Sequence, residues 1–387
     1  MIRQTIPAVN CVTNSLDRRD CLRRMALAAA AVAAGRSSSI GEPMHAERRD
    51  VAWLPEVVAP PRDLIETPTE ELAPLFVDSE DRAITTRPEW ERQRHRLRQR
   101  WLDFLGPMPS ARPPVKLEVL RRDETPQFVR QLVRYESEPG LWVEGYLLAP
   151  HKAEAGRLPA LVAMHATSEH SIEQIAGLAD KPSHHLAPRL CQAGFVVFCP
   201  RCFLWQNAPT YDDAVARFRE RHPHTLGMHK MLYDAMRAVD VLQSLPNVDR
   251  DRIGAVGHSL GAKEALYLSA FDDRVTAAVA SEGGIGLRST NWNAPWYLGA
   301  AIEKEDFTLN HHQLLAMIAP RPFLIVAGET GPGAADGNRS WPLVAAAHPA
   351  YRFYDQPVRL GVYNHGLGHV LNPEIYARIE DWLRAYV

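Results

Sequence analysis

The chain has 387 residues, 46% hydrophobic and 23% charged, a composition with ample apolar material for a large core. A formal net charge of −2 and a sequence pI of about 6.8 give no electrostatic basis for binding nucleic acid or an anionic membrane surface. No segment repeats at a fixed period, which argues against solenoids and propellers.

The first 40 residues read as an address rather than as fold. Asp17-Arg18-Arg19-Asp20-Cys21-Leu22-Arg23-Arg24 precedes the run MALAAAAVAA and the small-residue tract GRSSS. A basic stretch, a short apolar run and small residues make an export signal. The apolar run is far below the roughly 20 residues that span a bilayer. The arginine pair resembles a twin-arginine signal, which implies a periplasmic or secreted protein with no membrane span in the mature chain.

Residues 41–114 form an N-terminal extension with one expected helix. Pro88 suits a first helical turn, Trp90, Leu97, Trp101 and Leu105 recur at helical spacing, and Gly106-Pro107 stops the run. From residue 115 the pattern changes. VKLEVL, FVRQLVRY and LWVEGYLLAP read as antiparallel strands. Apolar strands then alternate with helices: ALVAMH, a helix over 186–192, FVVFC, a helix over 228–245, RIGAVG, a helix over 260–271, VTAAVA, a further helix, PFLIVAG, VRLGVY, and a last helix over 374–386. That alternation predicts an α/β domain over residues 115–387, with a mostly parallel sheet covered by helices on both faces. Right-handed crossovers place its functional loops at the carboxyl ends of the strands. Of five cysteines, Cys199 and Cys202 have redox-motif spacing. They follow an apolar strand rather than opening a helix, so a redox role is disfavoured, and a disulfide between them stays open.

Gly257-His258-Ser259-Leu260-Gly261 falls between a predicted strand and a predicted helix. G-x-S-x-G in that setting is a nucleophile elbow: a turn so tight that only small neighbours fit, with the serine hydroxyl thrust outward. The amide of Leu260 and the helix dipole face any oxyanion formed there. A second amide is expected from Ala166 or Thr167, in the loop after ALVAMH. A serine hydroxyl needs a base, and the loop after the last strand supplies two of the chain's 16 histidines. His369, in the Gly-rich stretch before the last helix, is the candidate base, and His365 the candidate loop support. The acid stays open among Glu282, Asp336 and Glu329, each in a loop that leaves the sheet.

Several stretches resemble the glucuronoyl esterase and acetyl-xylan-esterase-like branch of the α/β-hydrolases, related to the dienelactone hydrolases. GHSLGAKEAL is similar to that branch's G-x-S-x-x-G-K elbow helix, AFDDRVTAAVASEGG to its acid loop, and GLGHVLNPE to its histidine loop. Glu282 lies 23 residues after Ser259, where glucuronoyl esterases carry their acid. The resemblance therefore implies a Ser259–His369–Glu282 triad, with Asp336 as the alternative acid. It implies a carbohydrate or small-molecule ester as substrate and no metal or organic cofactor. It also implies a sugar-binding role for Lys263, and Asn291-Trp292 and Trp296, which follow the Glu282 loop, are candidates for an aromatic wall around a sugar or acyl group. Leu260 departs from the Arg that glucuronoyl esterases usually place after the nucleophile, which weakens that particular specificity. A prolyl-oligopeptidase-like peptidase is the first rival, but only about 100 residues precede the strands, too few for its propeller. A non-catalytic binding protein that retains the fold is the second.

Overall fold

In the computed structural model the described residues are 50–62, 72–110, 112–151 and 156–387. The export signal expected over residues 1–40 lies outside them. The first described helices are α1 (Leu54–Val58) and α2 (Arg87–Leu105). The reading of the extension saw only the second. Thr86 and Glu89 cap α2 reciprocally, each side chain accepting the other residue's backbone N–H. Gly106, at φ 83°, ends it. Trp90, Leu97, Trp101 and Leu105 are buried against the same core as the central sheet. The extension therefore packs on the domain that follows it, and Arg49–Val387 form one compact unit.

The sheet has nine strands: β1 (Glu118–Glu124), β2 (Phe128–Glu138), β3 (Leu141–Pro150), β4 (Leu158–Met164), β5 (Val196–Pro200), β6 (Val248–His258), β7 (Val275–Ser281), β8 (Phe323–Ala327) and β9 (Leu360–Asn364). Their order is β1-β2-β3-β5-β4-β6-β7-β8-β9. The strands β1 to β3 are antiparallel, as is the β3–β5 pair, and every later neighbour is parallel. The edge strand β1 is almost wholly exposed, whereas β5 and β8 are buried throughout. This difference is what helices on both faces impose.

Helices α3 (Ser171–Ile175), α4 (Leu186–Gln192), α5 (Tyr211–Arg221), α6 (Gly227–Ser244), α7 (Leu260–Phe271), α8 (His311–Ile318), α9 (Trp341–Ala347) and α10 (Pro373–Tyr386) complete the layers. Strand side chains alternate between two cores. Ala160, Val162 and Met164 of β4 pack with α2, α6, α7 and α8, while Leu161 and Ala163 pack with α1, α4 and α10. The strand order reverses at β4, which lies between β5 and β6. A crevice opens at the carboxyl ends of strands flanking such a reversal, and β4 and β6 end there at Met164 and His258.

Candidate active site

Ser259 stands where β6 turns into α7, with φ 60° and ψ −117°. A non-glycine residue there costs on the order of 1–3 kcal/mol and persists only where its surroundings enforce it. Here they do. The Ser259 amide donates to Ser281 O of β7 at 2.8 Å, which holds the turn to the sheet. A Cβ on Gly257 would strike the Gly261 carbonyl, and one on Gly261 would strike the Met164 carbonyl. Both glycines are required by close backbone approach. Ser259 itself is half-buried, not sealed.

Leu260 is the first residue of α7, so its amide is one of those the helix leaves unused. Across from it, Ala166 is half-buried and Thr167 exposed in the loop leaving β4. His165 fixes that loop, a role with no signal in the sequence beyond its place at a strand end. Its Nδ1 lies 2.9 Å from Ala166 O and its Nε2 accepts the Cys202 amide at 3.2 Å. Burial pushes its pKa down to about 4, which keeps the ring neutral with one donor and one acceptor.

The histidine loop is arranged differently from the expected triad. The His369 ring lies 4.6 Å from that of His258, the residue before Ser259, with the planes tilted by 44°, and its Cβ and Cγ lie against Gly333. The Nδ1 of His369 is buried and makes no close hydrogen bond, with the Gly333 backbone as its polar neighbour. Burial lowers its pKa, an effect that the Gly333 backbone and then the Asp336 carboxylate partly offset. No hydrogen bond joins it to Ser259 among the described residues. His365 is the histidine that Glu282 holds: Nε2 donates to Glu282 Oε1 at 2.6 Å, and Nδ1 accepts the Leu367 amide at 3.2 Å. With both nitrogens engaged, His365 has none left for Ser259.

The three candidate carboxylates differ sharply. Glu282 has a left-handed backbone, φ 57°, at the end of β7. Its Oε2 is buried and makes no close hydrogen bond. Burial raises its pKa, with His365 opposing. Gly328 packs against both this carboxylate and the carbonyls of Leu367 and Gly368, so Glu282 sits beside the backbone that leads into His369. Asp336 is fully buried and already occupied: it accepts the amides of Gly284 at 2.8 Å and Ile285 at 2.6 Å, and the Ser340 hydroxyl at 2.9 Å. Glu329 is likewise spent on the Asn338 amide and the Asn364 side chain.

Two residues expected to contact substrate are packed into the fold. Trp292 is 1% exposed and its Nε1 donates to Gly284 O at 2.7 Å, so it packs beneath the loop and forms no wall. Lys263 is 4% exposed, with Nζ 3.8 Å above the Trp292 ring and 2.8 Å from Thr290 Oγ1. It is a buried lysine whose pKa burial pushes down to about 7, with Asp336 opposing. Cys199 and Cys202 are free and buried, and burial raises both thiols, which suppresses thiolate chemistry.

Residues 143–321 match the model of the dienelactone hydrolase family, a range that takes in the elbow and Glu282 and stops before Asp336 and His369. The chain is similar to YtaP of Bacillus subtilis (strain 168), provisionally named a hydrolase, with 24% identity over 245 residues, 60% of this chain and 79% of that one. It is also similar to the 4-O-methyl-glucuronoyl methylesterase of Hypocrea jecorina (strain QM6a), with 28% identity over 173 residues, 37% of this chain and 35% of that one. A glucuronoyl esterase from Solibacter usitatus shares the fold at a TM-score of 0.64 and 17% identity, covering 83% of this chain and 99% of that one. The fold is that of the α/β-hydrolases.

Proposed function

We propose that this chain, whose residues 143–321 carry a dienelactone hydrolase family domain, is a serine esterase that cleaves carboxylic esters of carbohydrate-derived substrates. The observation that carries the reading is the strained Ser259, held by two glycines that no larger residue could replace. The substrate class follows that of the glucuronoyl esterases to which the chain is similar.

The reaction is a two-step acyl transfer to water. His369 Nε2 takes the Ser259 proton as Oγ attacks the ester carbonyl. The amides of Leu260 and of Ala166 or Thr167 receive the oxyanion. His369 then returns the proton to the leaving alcohol, and later takes one from the water that releases the acid. Glu282 completes the triad. Its Oε2 and His369 Nδ1 are both buried and neither makes a close hydrogen bond, the Gly328 and Gly333 backbones being the polar neighbours of the two side chains. A neutral imidazole that accepts at Nε2 carries its proton at Nδ1, so the two atoms are complementary. Catalytic hydrogen bonds are often loose before substrate binds. Asp336, saturated by backbone amides, is better suited to holding the Gly284-Ile285 loop. Export to the periplasm or beyond rests on the arginine pair and the apolar run that follows it.

The test is hydrolysis of p-nitrophenyl acetate, acetylated xylan, a methyl glucuronate ester and a matched anilide. The reading predicts ester turnover that Ser259→Ala reduces by about 10⁴-fold or more. Equal ester turnover in that variant removes the nucleophile, and turnover of the anilide alone moves the chain to the peptidases.

A further inference from the structure

Three aromatic side chains that the reaction does not use stand in a row on the face where the strands end. Trp205 follows β5, Tyr211 opens α5, and Trp296 lies in the long segment after β7. Each is half-buried, unlike Trp90, Trp101, Trp292 and Trp382, which are closed off in the cores. Trp205 and Tyr211 have ring centroids 5.0 Å apart, and Tyr211 and Trp296 5.7 Å.

The row begins and ends on the catalytic machinery. At one end Trp205 meets the His165 ring edge-on at 4.8 Å, and His165 fixes the loop of Ala166 and Thr167. At the other end Trp296 meets Tyr297 at 6.1 Å, and the Tyr297 ring lies 5.2 Å from Lys263 Nζ in the first turn of the elbow helix. The rings therefore run from His165, beside the loop of Ala166 and Thr167, to the first turn of the elbow helix. The three rings pack against the core from one side and stay partly open on the other. Core packing would seal them, as it seals Tyr297.

We propose that Trp205, Tyr211 and Trp296 form a stacking platform for a pyranose ring on the saccharide side of the ester. A pyranose offers an apolar C–H face bordered by hydroxyls. The C–H edges carry partial positive charge, which the negative faces of aromatic rings attract. Polar groups flank the row: Glu169 is exposed in the loop after β4, and Gln206, next to Trp205, donates its amide to Arg201 O at 3.0 Å and keeps its oxygen as an acceptor. A flat aliphatic acid or a simple alkyl ester would use the apolar faces and leave those polar groups idle. The proposal rests on the esterase reading for its place beside Ser259, yet it can be tested apart from it.

Two measurements are needed. In the Ser259→Ala chain, xylotetraose, cellotetraose and tetragalacturonate are titrated by tryptophan fluorescence and calorimetry, alone and with Trp205→Ala, Tyr211→Ala or Trp296→Ala added. At least one tetrasaccharide is expected to bind, with affinity falling about tenfold on loss of Trp205 or Trp296 and recovering with Trp205→Phe. In the chain with Ser259 intact, the ratio of KM for acetylated xylotetraose to KM for p-nitrophenyl acetate is expected to rise about tenfold in the same variants. No binding of any tetrasaccharide overturns the platform. So does an unchanged KM ratio with lowered thermal stability, the signature of plain packing. Binding that needs these rings, in a chain that hydrolyses no ester, upholds the platform and removes the esterase reading.

Discussion

The elbow after β6 and the loop after β9 meet over one edge of the sheet, yet they are held by different means. At the elbow the backbone does the work: a left-handed serine, two glycines in van der Waals contact with carbonyls, and an amide still bonded to β7. In the histidine loop side chains do the work. Glu282 holds His365, His365 holds the Leu367 amide, and His369 rests on His258 with one buried nitrogen that makes no close hydrogen bond. The first half is complete without substrate. The second half keeps two buried polar atoms, Glu282 Oε2 and His369 Nδ1, without a close hydrogen bond. On the proposed reading, the nucleophile is preset by the chain path and the base is left to be aligned.

Separating the two histidines breaks or sharpens this contrast most strongly. His369→Ala is expected to lower kcat on p-nitrophenyl acetate by about 10³-fold or more, as loss of a triad base does. His365→Ala, which only loosens the loop, should lower it by tens of fold at most. A reversed order of the two losses would transfer the base to His365. Glu282→Gln comes next, with kcat expected to fall by roughly 10²–10⁴-fold by analogy with other triad acids. Asp336→Asn should instead show itself in urea unfolding, by about 1–3 kcal/mol, because it weakens a buried acceptor of two amides. If only the Asp336 variant loses turnover, the acid is misassigned. At the elbow, Gly261→Ala should cost on the order of 1–3 kcal/mol or more through backbone overlap with Met164. A variant as stable as the parent would show that the turn has room to spare.

Two smaller effects follow from protonation. Burial lowers the pKa of His369, so the base stays neutral to more acidic pH than a free histidine. The acid limb of kcat/KM should accordingly have its midpoint below 6.5, and a midpoint above that would contradict a half-buried base. Lys263 has a folded pKa of about 7 against 10.5 for an ordinary lysine. Between those values the unfolded chain binds one more proton, so this residue makes stability rise with pH from about 7 to 10.5. Lys263→Met should reduce that rise in urea titrations at pH 7 and 9. An identical rise in the variant would mean that the lysine keeps its charge when buried.

The sequence was most legible where chemistry depends on neighbours along the chain. G-x-S-x-G between a strand and a helix marks the elbow because the turn's clearance is set by Gly257 and Gly261 themselves. The helix over 186–192 and the strands ending at 199 or 200 and at 280 or 281 were readable from apolar runs for the same reason. What stayed hidden depends on distant partners. Trp292 looked available for substrate because its loop has no periodicity to betray burial, yet it bonds to Gly284 O. The pairing of Glu282 with His365 is a matter of side-chain direction across 83 residues. The helix α1 spans only five residues and has too little periodicity to stand out, although Val57 packs closely on Gly361 of β9.

The central claim is that Ser259 is an activated nucleophile and His369 its base. A fluorophosphonate probe followed by intact-mass and peptide analysis tests it most directly. The account predicts one adduct per chain, located on Ser259, absent in Ser259→Ala and formed at least a hundredfold more slowly in His369→Ala. An adduct on another serine, or labelling of Ser259 at an undiminished rate without His369, would contradict it.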